Sequence, residues 1–241
     1  MKKFLLKVLV FAVCFFIAEK VFYIFIYVSP GLEKDKRLEK VVTGHMDKDV
    51  IILGSSRGAR DILASRIEEK TGLSAYNLSY PGSDVEFHEF VLRALLEFNT
   101  APRTVLLVVD DPVELLPAEA LTFRLDRLYP LAKYDFINQE MIRRGEKNYL
   151  SWGFALARIN QRNFDLRPQR FTKLDSISIA GSMPITFQRN EELSYKKTDY
   201  IYPVKDELDA KREAFQQIDE HCLNNGIKLI VVFPPNLIEH N

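Results

Sequence analysis

Gly54-Ser55-Ser56-Arg57 follows a short apolar run, Val50–Leu53, and precedes a stretch with helical spacing. A serine at such a strand-to-helix turn has two chemical advantages. Its hydroxyl emerges at a helix N-terminus, where free N–H groups and the positive dipole end stabilise developing negative charge. The glycine before it lets the backbone turn sharply and lets a ligand approach. Given a base, that hydroxyl is a nucleophile for ester chemistry. Serine is equally a favourable N-cap, and Gly-Ser-Ser taken alone reads as a cap. A phosphate-cradling loop would need the Lys-Ser/Thr of a P-loop, which is missing, and the glycines do not fit a dinucleotide fingerprint. Arg57 and Arg60 come next. Arginine there opposes the helix dipole, which suits either an anionic ligand or a pair with Asp84, Asp110 or Asp111.

The elements that must position these residues alternate regularly. Val50–Leu53 reads as a buried strand, and Ala59–Lys70 as a helix with Ile62, Leu63 and Ile67 on one face and Gly72 as its C-cap. Ser74–Ser79 reads as a second strand, ending in Tyr80-Pro81-Gly82. The helix Asp84–Phe98 buries Phe87, Val91, Leu95 and Phe98. Arg103–Val109 is a third strand, ending at Asp110-Asp111-Pro112. An amphipathic helix, Lys205–Asn225, is capped by Gly226, and Ile227–Phe233 is a fourth strand before Pro234-Pro235. Such alternation predicts an α/β fold with a parallel sheet covered on both faces, a three-layer α/β/α arrangement of flavodoxin-like type. Ligands in such sheets bind at the carboxyl ends of the strands, where Ser55-Ser56, Gly82-Ser83 and Asp110-Asp111 converge. The stretch 113–204 lacks clean alternation. It reads as a helical and loop insertion above those ends, either a lid or a cap over apolar surface.

The N-terminus bounds the location. Lys2, Lys3 and Lys7 precede the apolar run Val8–Ala18, Glu19-Lys20 interrupt it, and Val21–Val28 resumes it. Phe4–Val28 is long enough to span a bilayer, and charged then aromatic residues after Ala18 argue for an uncleaved anchor. The basic flank predicts the N-terminus inside and the remainder outside the cytoplasm. The alternative is an amphipathic helix docked on the domain. Glu19 and Lys20 are costly in a span unless partnered, and a membrane partner is one way to supply that. Residues 1–28 thus form the anchor, 29–48 a stalk whose Ser29-Pro30-Gly31 stops the helix, and 49–241 the domain. Lys+Arg and Asp+Glu balance at 33 each, so nothing favours nucleic acid. Cys14 and Cys222, the two cysteines, form no metal-site spacing.

Ile51-Ile52-Leu53-Gly54-Ser55-Ser56-Arg57 resembles the first block of SGNH (GDSL-like) esterases. It is closest in kind to their membrane-anchored cell-envelope branch, including proteins of polysaccharide O-acetylation and teichoic-acid D-alanylation, where Gly-Ser-Ser replaces Gly-Asp-Ser. Tyr76–Gly82 resembles the second block, Val108–Asp111 stands where the third belongs, and Ile230–Pro235 resembles the strand before the last. The resemblance implies Ser56 as nucleophile, with Gly82 and the Ser56 N–H holding the oxyanion and Ser55, Arg57 and Asp111 around the substrate. It implies no metal or organic cofactor. The substrate would be an acyl ester of an envelope glycan, and the partners the membrane and other envelope-assembly proteins.

Two positions depart from the pattern. An asparagine of the third block is replaced by Asp110 or Asp111, and a carboxylate repels an oxyanion. The closing Asp-x-x-His does not appear before Asn241, which reads as a truncated copy lacking its final strand and helix. Among the histidines, His45 lies in the stalk and His221 near a helix C-terminus. His88 follows the second block by one helical turn, a spacing that would put it either near the mouth of the site or simply on a helix face. His240 lies beyond a strand end, on the side of the sheet where a base is needed, and is the candidate base of this chain, though without the family spacing. The rival expectation is a non-catalytic envelope-assembly or glycan-binding protein on the same fold.

Overall fold

Residues 1–110, 113–165, 167, 176–185 and 202–234 are described by a computed structural model. An apolar helix, α1 (Lys2–Leu32), leads through a short helix, α2 (Arg37–Val42), to the strand β1 (Val50–Gly54). Helices α3 (Ser56–Asp61) and α4 (Ala64–Thr71) join β1 to β2 (Ala75–Asn77), and α5 (Val85–Phe98) joins β2 to β3 (Thr104–Val108). The short helices α6 (Leu125–Leu128), α7 (Asp135–Arg143) and α8 (Ala155–Arg158) follow. Then come α9 (Asp209–Asn224) and β4 (Lys228–Val232). The chain divides into two compact units: Met1–Glu39 with Leu125–Arg170, and Lys40–Arg124 with Phe171–Asn241.

The second unit is mixed α/β, built on a four-stranded parallel sheet in the order β2-β1-β3-β4. β1 has a neighbour on each side and is buried along its whole length, as its unbroken aliphatic run requires. From β1 the chain steps to β2 on one side, then crosses to β3 on the other. The switch in direction falls between β1 and β3, the place where open α/β sheets bind ligands at their strand ends. Val50, Ile52 and Val108 pack with Ala64 and Ala75 into one apolar cluster, joined by Ile62, Ile67 and Leu73. Elsewhere Phe87 and Phe90 of α5 meet the Phe123 ring edge-on at 5.3 and 5.7 Å.

The expected helix Ala59–Lys70 is two helices, broken at Ile62-Leu63, both extended. The cause is distant in sequence. The buried Asn77 amide donates to the Gly58 and Ile62 carbonyls at 2.8 Å each, and the Ser182 hydroxyl donates to Ile62 O and accepts from Ala64 N–H, both at 3.0 Å. These side chains satisfy the helix ends that the break exposes. Gly72 caps α4 as expected, at φ 70° with its N–H to the Glu68 carbonyl.

In the first unit α1 runs to Leu32, past the Ser29-Pro30-Gly31 signal, with Pro30 inside its last turn. The Lys36 ammonium caps the Pro30 carbonyl, and Ser29 and Pro30 are buried. The helix is long and apolar enough to cross a membrane. Its outer part packs against the α6–α8 segment. There Arg37 grips the Asp35 carboxylate with Nε and Nη2 at 2.9 and 2.7 Å, and Arg127 lies 3.7 Å from Glu33.

Gly58 sets how closely α3 lies on the sheet. A Cβ there would stand 2.5 Å from the Ser79 hydroxyl oxygen and 3.3 Å from Val108 Cβ. Gly58→Ala is expected to lower the unfolding free energy by about 1–3 kcal/mol, the usual cost of overpacking. Gly58→Ala with Ser79→Gly is expected to recover part of that. Urea unfolding followed by circular dichroism checks both; an unchanged single variant would disprove the close-approach argument.

Candidate functional site

The carboxyl ends of β1, β2 and β3 carry the residues that the sequence singles out. Gly54 ends β1, and a Cβ on it would stand 2.9 Å from the Val108 carbonyl oxygen, so the turn needs glycine. Ser55 then takes the N-cap position and Ser56 begins α3. Ser55 makes no side-chain capping bond. Ser55 is buried, whereas Ser56 is half-buried, and with the described residues its hydroxyl makes no hydrogen bond. Among the described serines at these strand ends, Ser56 is the one that reaches solvent, since Ser55, Ser79 and Ser83 are buried.

Arg57, one residue on, pairs with Asp110 beyond β3 at 3.1 Å. This is the ion-pair alternative rather than an open anion site. Among the described residues Asp110 Oδ2 and Arg57 Nη1 are buried without hydrogen-bond partners, so neither group is saturated by the other. Burial also raises the Asp61 carboxyl above its ordinary range, though Arg57 and Arg60 draw it down. Gly82 forms the turn after β2 at φ 76°, and its carbonyl accepts from Thr122 N–H at 3.0 Å. Arg124 donates to the Pro81 carbonyl beside it. Asp111 and His240 lie outside the described residues.

His88 does not sit at the mouth of a site. It is fully buried, with Nε2 2.9 Å from the Ser83 hydroxyl oxygen. That oxygen lies 2.7 Å from the Tyr80 carbonyl and 3.2 Å from the Gly54 carbonyl, which also accepts from Tyr80 N–H at 2.9 Å. Ser83 has one proton and directs it to a carbonyl, so the imidazole carries its proton on Nε2 and donates. Ser83 is fully buried and its hydroxyl is spent on this network; it is no nucleophile. On the other side, His88 Nδ1 faces Glu114 Oε1 at 3.9 Å, too far for a hydrogen bond. Glu114 Oε2 accepts from Asp110 N–H at 2.9 Å, and the buried Lys211 ammonium donates to the Leu116 carbonyl at 2.9 Å. A hollow of about 250 Å³ opens beside Glu114, lined by Val109, Leu115, Phe215 and Phe233.

Glu114 and Lys211 carry no motif that would single them out in the sequence. Asp84 does, as an N-cap whose carboxylate accepts from Phe87 N–H at 3.0 Å; it fixes the phase of α5 and so aims His88 inward. The remaining histidines are engaged elsewhere. His45 is 3.0 Å from the Thr43 hydroxyl, and His221 is 3.4 Å from Glu89. Among the described residues no group of three or more His, Cys, Asp or Glu side chains is placed to hold a metal ion.

Burial pushes His88 down from 6.5 to about 3, and pushes Glu114 up from 4.5 to about 7. The two act on stability with opposite sign. A histidine kept neutral contributes fully above 6.5 and loses its contribution as pH falls toward 3. A carboxyl kept protonated contributes fully below 4.5 and loses its contribution as pH rises through about 7. Between 4.5 and 6.5 both slopes are active; each has a ceiling of about 1.4 kcal/mol per pH unit. The wild type is expected to be nearly flat in this window. Glu114→Gln is expected to uncover the His88 slope, gaining stability as pH rises. Denaturant midpoints across the window check this, and a Glu114→Gln protein as flat as the wild type would count against it.

No family model matches the chain, and no curated protein or solved structure does.

Proposed function

We propose that this chain is a membrane-anchored serine esterase or acyltransferase of SGNH type, with a three-layer α/β/α domain outside the cytoplasm. Its substrate would be an acyl ester of a cell-envelope polysaccharide. The observation that carries the reading is Ser56: half-exposed at the switch point of a parallel sheet, with a hydroxyl uncommitted among the described residues. Ser55 beside it and Ser83 after the β2 turn are buried, and Ser83 is bonded as well. In the reaction Ser56 Oγ attacks the ester carbonyl and loses its proton to a histidine. The oxyanion is held by N–H groups of Ser56 and Gly82; its collapse breaks the ester C–O bond, and the histidine returns the proton to the departing alcohol. Water or a sugar hydroxyl, deprotonated by the same histidine, then takes the acyl group from Ser56. With His45, His88 and His221 engaged elsewhere, His240 is the candidate base of this chain.

A second reading is a non-catalytic glycan-binding or envelope-assembly protein. Asp110 favours it, because a carboxylate stands in the sequence where the resemblance expects an oxyanion donor, and paired Arg57 and Asp110 suit sugar hydroxyls equally well.

A fluorophosphonate probe separates the two. The full chain in detergent is expected to gain one covalent adduct by intact mass. Ser56→Ala is expected to lose that adduct, and His240→Ala to slow its formation at least tenfold. A wild-type chain that stays unmodified on prolonged exposure would rule out the enzyme and leave the binder.

A further inference from the structure

Glu19 interrupts the apolar helix α1, and a carboxylate there has a substantial cost. At the centre of a span, a charged side chain costs about 2.5–3.5 kcal/mol. The structure shows what offsets it. The Glu19 carboxylate accepts from the backbone N–H groups of Ala155 and of Leu156, the latter at 3.1 Å, at the start of α8. Charge-assisted bonds of this kind contribute about 1.5–3 kcal/mol each, enough to match that cost. Aromatic contacts extend the seam in both directions. Phe15 meets Phe154 at 5.6 Å, and Phe164 meets Phe25 at 5.3 Å and Phe22 at 6.4 Å. The segment 149–164 therefore travels with α1, at the level of Phe15 to Phe25.

Length then decides how deep that level is. The fifteen residues Phe4–Ala18 rise only about 22 Å, against a hydrocarbon core of about 30 Å. If α1 crosses a bilayer, the core must reach roughly five residues beyond Glu19, to about Tyr23-Ile24. Lys20 suits such a boundary, with its ammonium 5.4 Å from the Phe16 ring centre and 5.7 Å from that of Tyr23. The start of α8 then lies within the lipid boundary, not above it.

The surface presented there fits lipid. Tyr149 is 80%, Leu150 60%, Trp152 56% and Phe164 50% exposed, with Phe154 beside them. These are the aromatic and aliphatic types that favour a membrane–water interface. They are displayed on a fixed scaffold. The Arg158 guanidinium donates to the Ser151 carbonyl at 2.6 Å and to Asp135 at 2.7 Å, and the Asn138 amide also donates to Ser151 O at 3.1 Å.

We propose that segment 149–164 is a membrane-embedded interfacial element, with Tyr149, Leu150, Trp152, Phe154 and Phe164 seated in the lipid around α1. The inference rests on α1 spanning a bilayer. Trp152 is the single tryptophan of the chain, so its fluorescence reports on this element alone. The full chain is reconstituted into phosphatidylcholine vesicles and floated on a density gradient. The expected result is co-flotation, blue-shifted emission, and at least twofold quenching by lipids brominated near the headgroup end of the acyl chain. Bromines near the chain terminus are expected to quench less, and acrylamide several-fold less than in the urea-unfolded chain. Flotation with emission that acrylamide quenches freely, or blue-shifted emission that no brominated lipid quenches, would overturn the proposal while leaving the anchor intact. The second outcome would put protein, such as another copy, over Trp152. Failure to float would overturn both.

Discussion

The α/β unit depends on one buried imidazole. His88 donates to Ser83, and Ser83 reaches the carbonyls of Tyr80 and Gly54, so a single side chain on α5 ties the turn after β2 to the last residue of β1. Beyond it Glu114 accepts from the second N–H after the β3 end, at Asp110, and Lys211 brings in α9. Buried polar groups of this kind are costly when left unpaired, and the low dielectric that penalises them also strengthens them once paired. The ends of β1 and β2 are thereby held in one arrangement, with Glu114 bonded separately beyond β3. Ser56 projects from that arrangement without taking part in it, which is the condition for a side chain to be both rigidly placed and chemically available.

The same logic governs the other unit. Glu19 in an apolar helix is a penalty unless donors reach it, and the backbone of α8 supplies two. At the far end of that helix, Glu33 and Asp35 meet Arg127 and Arg37 in a buried cluster. Carboxylates at both levels thus tie the helical segment 125–164 to the outer half of α1. An interruption of the hydrophobic run becomes the point that aligns a second element with it.

The strands, their order along the chain and the presence of helices between them were legible because each rests on local periodicity. Val50–Leu53 is a short aliphatic run bounded by Gly54, as an interior strand is. α5 shows its buried stripe at Phe87, Val91 and Leu95, whereas Phe98, expected on the same stripe, is exposed at the helix end. The break at Ile62-Leu63 was not legible, because Asn77 and Ser182 cause it from 15 and 120 residues away. The inward orientation of His88 was not legible either. One turn beyond a surface loop is compatible with either face of the helix, and only the Asp84 cap and the packing of Phe87 and Phe90 turn it inward.

By itself the sequence determined the apolar N-terminal helix, the βαβ alternation and the serine at a strand-to-helix turn, since composition and short-range spacing are sufficient for these. Which serine reaches solvent, which arginine is paired and where His45, His88 and His221 point were decided by tertiary structure alone. Each of those outcomes is a competition for hydrogen-bond partners among groups far apart in the chain. Arg57 meets Asp110, Ser83 meets His88, and Glu19 meets Ala155 and Leu156 only after the chain has folded, and no local pattern encodes the winner of such a competition.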